Sequence, residues 1–300
     1  MPYININFIQ KSILPFGFIF LYGSGFIFTQ YGLQNSSPMA FLAIRFFIAF
    51  WILLLIAYIL RVPLPKTKKE FFHISVAGSL TVGTFSIGVF MSISYGVSGA
   101  LNALIIALQP IIVTFIASKF LEETANKKVW LGLIIGFIGV AFVVVSKLDT
   151  SYASVVGVFW SVVGLLGLSF GSLYQKKYCT GMNLYSGGAI QTLSSTLLTL
   201  PFLYFEDIHI TWNTEFMVAL VYMAVGVSIG ALSLLYIMIK NGEVSKVSSI
   251  FYLVPVSAAI VSYFLLGEKM DMNVLIGIIT VIIGITLINT RKNKKIQSAS

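Results

Sequence analysis

The sequence predicts an all-α integral membrane protein, with ten transmembrane helices arranged as two inverted five-helix repeats. Three observations predict it. The chain is 58% hydrophobic and 10% charged, with a mean hydropathy of +0.95; soluble domains carry about 25% charged residues, and so few charges cannot cover a surface in water. Ten apolar stretches each come close to the ~20 residues that cross a hydrocarbon core. The chain also matches itself without a gap when shifted by 145 residues.

The stretches run over 12–31, 39–60, 71–94, 98–120, 128–146, 154–175, 184–205, 215–238, 246–266 and 273–290. They are apolar all round and lack the alternation of barrel strands. The first follows Lys11 and has no small-x-small cleavage site, so it reads as a retained helix. The second holds Arg45, the one ionised group inside a span. The fourth carries Asn102 and Gln109, seven apart and so expected on one helical face, followed by Pro110. The fifth and tenth carry glycine faces, Gly132, Gly136 and Gly139 on one and Gly277 and Gly284 on the other. The ninth opens with Ser248, Ser249 and Tyr252 and holds Pro255.

Charge fixes the expected topology. Sixteen basic residues fall on the side that holds both termini: Lys11, Arg61, Lys66, Lys68, Lys69, Lys119, Lys127, Lys128, Lys176, Lys177, Lys240, Lys246, Arg291, Lys292, Lys294 and Lys295. Lys147 and Lys269 fall on the other. The positive-inside rule then places both termini in the cytoplasm of a multi-pass protein in the cytoplasmic (inner) membrane. The net charge of +9 reads as topology and attraction to anionic lipid, with no nucleic-acid partner implied.

Under the 145-residue shift, eight of the thirty positions from 110 to 139 are identical, among them Pro110 with Pro255, Glu123 with Glu268, Gly132 with Gly277 and Gly139 with Gly284. Ser24 falls on Ser169, Gln30 on Gln175, and Glu70–Phe71 on Glu215–Phe216. The units are 1–150 and 151–300, with five crossings each. Five is odd, so the second copy sits upside down. The loops agree: the one holding Arg61, Lys66, Lys68 and Lys69 corresponds to one with Glu206, Asp207 and no basic residue. Inverted repeats of this kind give secondary transporters two similar gates around a midplane site.

The two Pro-led segments that run into an acidic turn and a Gly-rich helix carry a family resemblance. They read QPIIVTFIASKFLEETANKKVWLGLIIGFIGV and VPVSAAIVSYFLLGEKMDMNVLIGIITVIIGI. With MAFLAIRFF around Arg45, they make the chain similar to the EamA-like family of the drug/metabolite transporter superfamily. The first copy departs from the family by placing Glu122 where a small residue such as Gly267 is usual. The resemblance implies ten helices in two inverted bundles around a central cavity and secondary transport of a small polar metabolite. An amino acid or related compound, exported, is the expectation. Uptake or exchange of a nucleotide-type or cofactor metabolite such as S-adenosylmethionine is the alternative, and a lipid-handling role another. It also implies a path lined by the third, fourth, eighth and ninth helices with parts of the first and sixth.

Several residues are candidates for that path. Asn102 and Gln109 would line a cavity or bond across helices, with Ser248 and Tyr252 facing them. Tyr22, Phe90, Tyr95, Trp160 and Tyr236 are aromatic candidates for substrate contact. Pro110 and Pro255 would act as paired hinges. Glu123 and Glu268 read as turn formers and N-terminal dipole partners of the helices that follow them. Arg45 reads as a clamp on the second helix, with a substrate carboxylate or phosphate as the alternative partner. Cys179 reads as a solvent-facing or interfacial thiol.

Other chemistries find little support in the residues. His73 and His209 are far apart and the chain has one cysteine, so no metal site or disulfide is expected. There is no phosphate-binding G-x-x-x-x-G-K-[ST] loop, no cofactor is implied, and the spans offer an enzyme only amides and hydroxyls. A monomer is expected, with a homodimer through the glycine faces as the alternative.

Overall fold

The computed structural model describes residues 13–123, 125–145, 154–266 and 271–289. These form ten helical spans: α1 (Leu14–Asn35), α2 (Pro38–Ile59), α3 (Lys68–Ser94), α4 (Gly99–Ile106 and Gln109–Phe120), α5 (Lys127–Val145), α6 (Val155–Tyr178), α7 (Leu184–Leu203), α8 (Thr214–Asn241), α9 (Val244–Ser249 and Leu253–Leu266, joined by the tight turn Ile250–Tyr252) and α10 (Met272–Asn289). Eight are long and apolar enough to cross a membrane; α1 and α7 fall short of that measure. Eight of the ten expected crossings therefore have the length and apolarity of a membrane span. The reason is visible in α7, where Gln191, Thr192, Ser195, Thr196 and Thr199 are all buried. A helix that turns hydroxyls and amides into the bundle needs less apolar surface than one facing lipid on all sides.

Four buried hydroxyls of α7 are satisfied within the helix. Thr192, Ser195, Thr196 and Thr199 each donate to the carbonyl four residues back, at 2.8–2.9 Å. The lipid side is apolar instead: Phe47, Trp51, Leu55 and Tyr58 of α2 and Ile276, Ile279 and Ile283 of α10 are exposed, as expected of groups that face hydrocarbon.

Pairs of helices from the two halves make the frame. α2 packs on α7, α5 on α10, α3 on α6, and α1 on α8 and α9. The α5–α10 contact is a glycine seam. A Cβ built on Gly132 would lie 2.6 Å from the Gly284 carbonyl, and one on Gly277 would lie 2.7 Å from the Gly139 carbonyl. The glycine faces read from the sequence are thus occupied inside one chain. The main core gathers Phe18, Phe41, Phe46, Phe90 and Phe216 between α1, α2, α3 and α8. A second core places Leu133, Val140, Val281 and Tyr252 between α5, α9 and α10.

Two irregularities recur under the 145-residue shift. α3 carries a wide π-helical segment at Ser79–Thr84 and α8 carries one at Tyr222–Ala231, which contains the shifted equivalent of the first. α4 breaks at Ala107–Leu108 and α9 at Ile250–Tyr252. Each break stands just before a proline, Pro110 or Pro255, placed in the first turn of the resumed helix. There a missing N–H leaves no helical carbonyl without its donor. The prolines thus begin half-helices and do not kink continuous ones.

Candidate functional site

The π-helical segments and the break-free middle of α1 enclose a small cavity. Its wall is Tyr22, Gly25, Thr29 and Gln30 of α1, Arg45 of α2, Thr81, Val82, Phe85, Ser86, Val89, Phe90 and Ile93 of α3, and Met223, Val227 and Leu232 of α8. Both π segments contribute, Thr81 and Val82 from one and Met223 and Val227 from the other. A π turn opens the helix wall locally and such turns are frequent at functional sites. The cavity is about 70 Å³, below the roughly 300 Å³ at the lower end of small-molecule pockets. A metabolite would therefore enter only after the helices part.

Arg45 is the charge of this cavity. It is 4% exposed, so it does not reach the interface by snorkelling. Its Nε donates to Ser228 Oγ on α8 at 2.8 Å, and its guanidinium carbon lies 5.2 Å from the Phe46 ring centre. No carboxylate among the described residues pairs with it. The described acids stand in turns or in the first turns of helices. The aromatic side of the wall is built by Tyr22, whose ring lies 6.3 Å from Phe85 and 5.7 Å from Phe251, and by Phe90, 6.0 Å from Phe41. Next to it Ser24 and Tyr222 share a hydrogen bond between α1 and α8.

The remaining sequence candidates lie elsewhere. Asn102 donates to the Val89 carbonyl of α3 at 3.2 Å. Gln109 donates to Ser248 Oγ on α9 at 3.3 Å, tying the two broken helices together. The expected common face of Asn102 and Gln109 does not form, because the α4 break falls between them. Each keeps a buried amide oxygen without a partner. Tyr252 does not face them. It is fully buried against Gly136, and its hydroxyl donates to the Leu133 carbonyl at 3.0 Å. Trp160 packs edge-on to Phe202, 6.0 Å between ring centres. Tyr95 is 45% exposed in the α3–α4 turn. Tyr236 lines a separate cavity of about 220 Å³ with Gln175, Met182 and Lys240, at the end of the bundle where α6 and α8 finish.

Cys179 borders that second cavity but is buried among Ile74, Ala77 and Ile190, which corrects the expectation of a solvent-facing thiol. Burial pushes its pKa up to about 11, so it stays a thiol at neutral pH.

Polar contacts tie helices together at both ends of the bundle, and at the end with Lys176 and Glu123 they border an open cavity of about 1340 Å³. At the end where α1 begins and α10 finishes, Lys176 Nζ donates to the Ile239, Lys240 and Gly242 carbonyls at 2.9, 3.3 and 2.6 Å. Glu123 accepts from Val244 N–H at 2.7 Å, Ser245 N–H at 3.0 Å and Ser245 Oγ at 2.5 Å. The lysine caps the C-terminus of α8 and the carboxylate caps the N-terminus of α9, each matching the sign of the helix end. Glu123 thus serves a helix of the other half and not the one that follows it. Glu268, its sequence counterpart, lies outside the described residues. At the opposite end the α7–α8 loop straps the α1–α2 turn. Thr211 N–H donates to the Asn35 carbonyl at 2.7 Å, Ser37 N–H to His209 at 3.0 Å, and Asn213 Nδ2 to Asn35 Oδ1 at 2.6 Å. Glu206 accepts from Met39 N–H, 3.1 Å from both carboxylate oxygens, and caps α2.

The comparison with known sequences decides what this bundle is. The model of the EamA-like transporter family matches residues 12–145 and again 155–290. The chain belongs to the EamA-like transporter family. Among its relatives is the uncharacterized transporter YvbV of Bacillus subtilis, 25% identical over 293 residues that cover 97% of this chain and 94% of the relative. YyaM of the same organism is 27% identical over 298 residues, covering 95% and 93%. The uncharacterized inner membrane transporter YedA of Escherichia coli is 23% identical, covering 87% and 86%. A solved crystal structure, 16% identical, superposes with a TM-score of 0.79 over 93% of this chain and 96% of its own, which speaks to the fold alone. This EamA-family protein is a multi-pass membrane transporter.

Proposed function

We propose that this EamA-family chain is a secondary carrier that exports a small polar metabolite, an amino acid or related compound, across the cytoplasmic membrane by alternating access. The observation that carries the reading is the cavity walled by the paired π segments of α3 and α8, with a polar latch at each end of the bundle. Access from one end requires release of that end's latch while the other holds. The recurrence of the π segments and helix breaks under one shift supports two halves, 1–150 and 151–300, related by inversion. The breaks before Pro110 and Pro255 are the joints where each half would bend. The basic bias toward the end with Lys176 and Glu123 supports a cytoplasmic placement of both termini, and the name of the E. coli relative supports the inner membrane. Export is what the resemblance to bacterial members of the family implies.

The test is transport by the pure protein in proteoliposomes. Loaded with labelled amino acids and related metabolites, they are expected to show counterflow of at least one compound, which protein-free vesicles lack. If no small metabolite moves under any imposed ion or substrate gradient, the carrier reading is wrong.

A further inference from the structure

Arg45 presents a charge that no described residue balances. Burying an ionised group without a counter-charge costs several kcal/mol, so such groups pair, bind a ligand or lose their charge. An arginine does not lose its charge. Among the described residues its one hydrogen bond runs from Nε to Ser228 Oγ. The two terminal nitrogens make none, although the guanidinium offers five N–H donors in a planar fork. Thr81, 1% exposed in the same wall, also keeps a hydroxyl without a partner.

We propose that Arg45 is the substrate's anion anchor and that the substrate class is a small monocarboxylate with an apolar body. This rests on the carrier reading above and deepens it. Nε is held by Ser228, which leaves the two terminal nitrogens to grip a carboxylate bidentately. Among the described residues, Arg45 is the only cation in the cavity wall. One cation balances one negative charge, so a carboxylate fits and a doubly charged phosphate does not. Tyr22, Phe85, Phe90, Met223 and Val227 make the rest of the wall mostly apolar, which suits an apolar side chain or alkyl body behind the carboxylate. Ser228 sits on the π segment of α8. Neutralising Arg45 therefore acts on the junction between α2 and α8, and this couples binding to helix movement.

The experiment measures binding, so its outcome does not depend on transport. The purified full chain is heated in detergent with L-leucine, butyrate, L-leucinamide or inorganic phosphate. L-Leucine and butyrate are expected to raise the wild-type melting temperature, whereas L-leucinamide and phosphate leave it unchanged. Arg45→Gln is expected to abolish the shift. Arg45→Lys, which keeps the charge but loses the fork, is expected to need about ten-fold more ligand for the same shift. Ser228→Ala, a milder change should Arg45→Gln misfold, is expected to fold with a lower ligand-free melting temperature and to weaken the response to L-leucine. The proposal is overturned if the amide stabilises as well as the acid, if phosphate stabilises best, if neither carboxylate stabilises the wild type, or if Arg45→Lys matches the wild type. Carboxylate binding without transport would sink the carrier reading and leave the anchor standing.

Discussion

Glu122 holds a left-handed backbone, φ 56°, just past the end of α4. That conformation suits glycine and strains a residue with a Cβ. The repeat equivalent is Gly267, a residue with no Cβ to strain in that conformation. The Glu122 side chain is exposed, so removing it loses no packing. Glu122→Gly should therefore stabilise the fold by about 0.5–1 kcal/mol, read as a melting temperature in detergent raised by about 1–2 °C. This residue was legible as a departure from pattern, but its backbone angle was not. Arg45 was legible too, as the one charge inside a span. Its partner Ser228 was not, because a contact across 183 residues leaves no mark in local spacing. Asn102 and Gln109 show the reverse error: seven residues share a face only on an unbroken helix, and α4 is broken between them.

At the level of elements, helix ends here are finished by side chains from distant parts of the chain. Glu123 is the clearest case, since its carboxylate takes both leading N–H groups of α9. Replacing it with alanine would leave those donors unsatisfied, at a cost of about 1–2 kcal/mol. Glu123→Ala should accelerate hydrogen exchange at Val244 and Ser245 by about ten-fold or more, while amides of α5 keep their protection. Unchanged exchange at Val244 would mean that the cap carries no energy. The sequence made Glu123 visible as the acid of a repeated turn, and near in sequence to α5. The fold instead brings it to α9, because the antiparallel return of each half stacks the α4–α5 turn under the α8–α9 turn. The α5–α10 glycine seam was more readable: five glycines at helical spacing ask for close backbone approach, and pairing two such faces within one chain satisfies both.

For the whole molecule, alternating access makes a prediction about the strap at the end opposite the termini. Asn35 and Asn213 join side chains there. In a chain where Cys179 is replaced by serine, Asn35→Cys with Asn213→Cys should form a disulfide on oxidation. Transport should then fall to a few per cent and return on reduction. Full transport by the oxidised protein would show that this end does not need to open. At this scale the helix order and the repeat were legible, since hydropathy and charge mark crossings directly. The inward polar faces of α1 and α7 were not, because buried hydroxyls lower the very signal that marks a span. The Glu123 latch has a further consequence for how the chain is made. Its acceptor site waits for Val244, 121 residues downstream, which a ribosome adding roughly 5–20 residues per second reaches only after roughly 6–24 s. For that interval the first five helices sit in the membrane with a carboxylate that has no helix to hold. The emerging half is then exposed to membrane chaperones and proteases until its other half arrives.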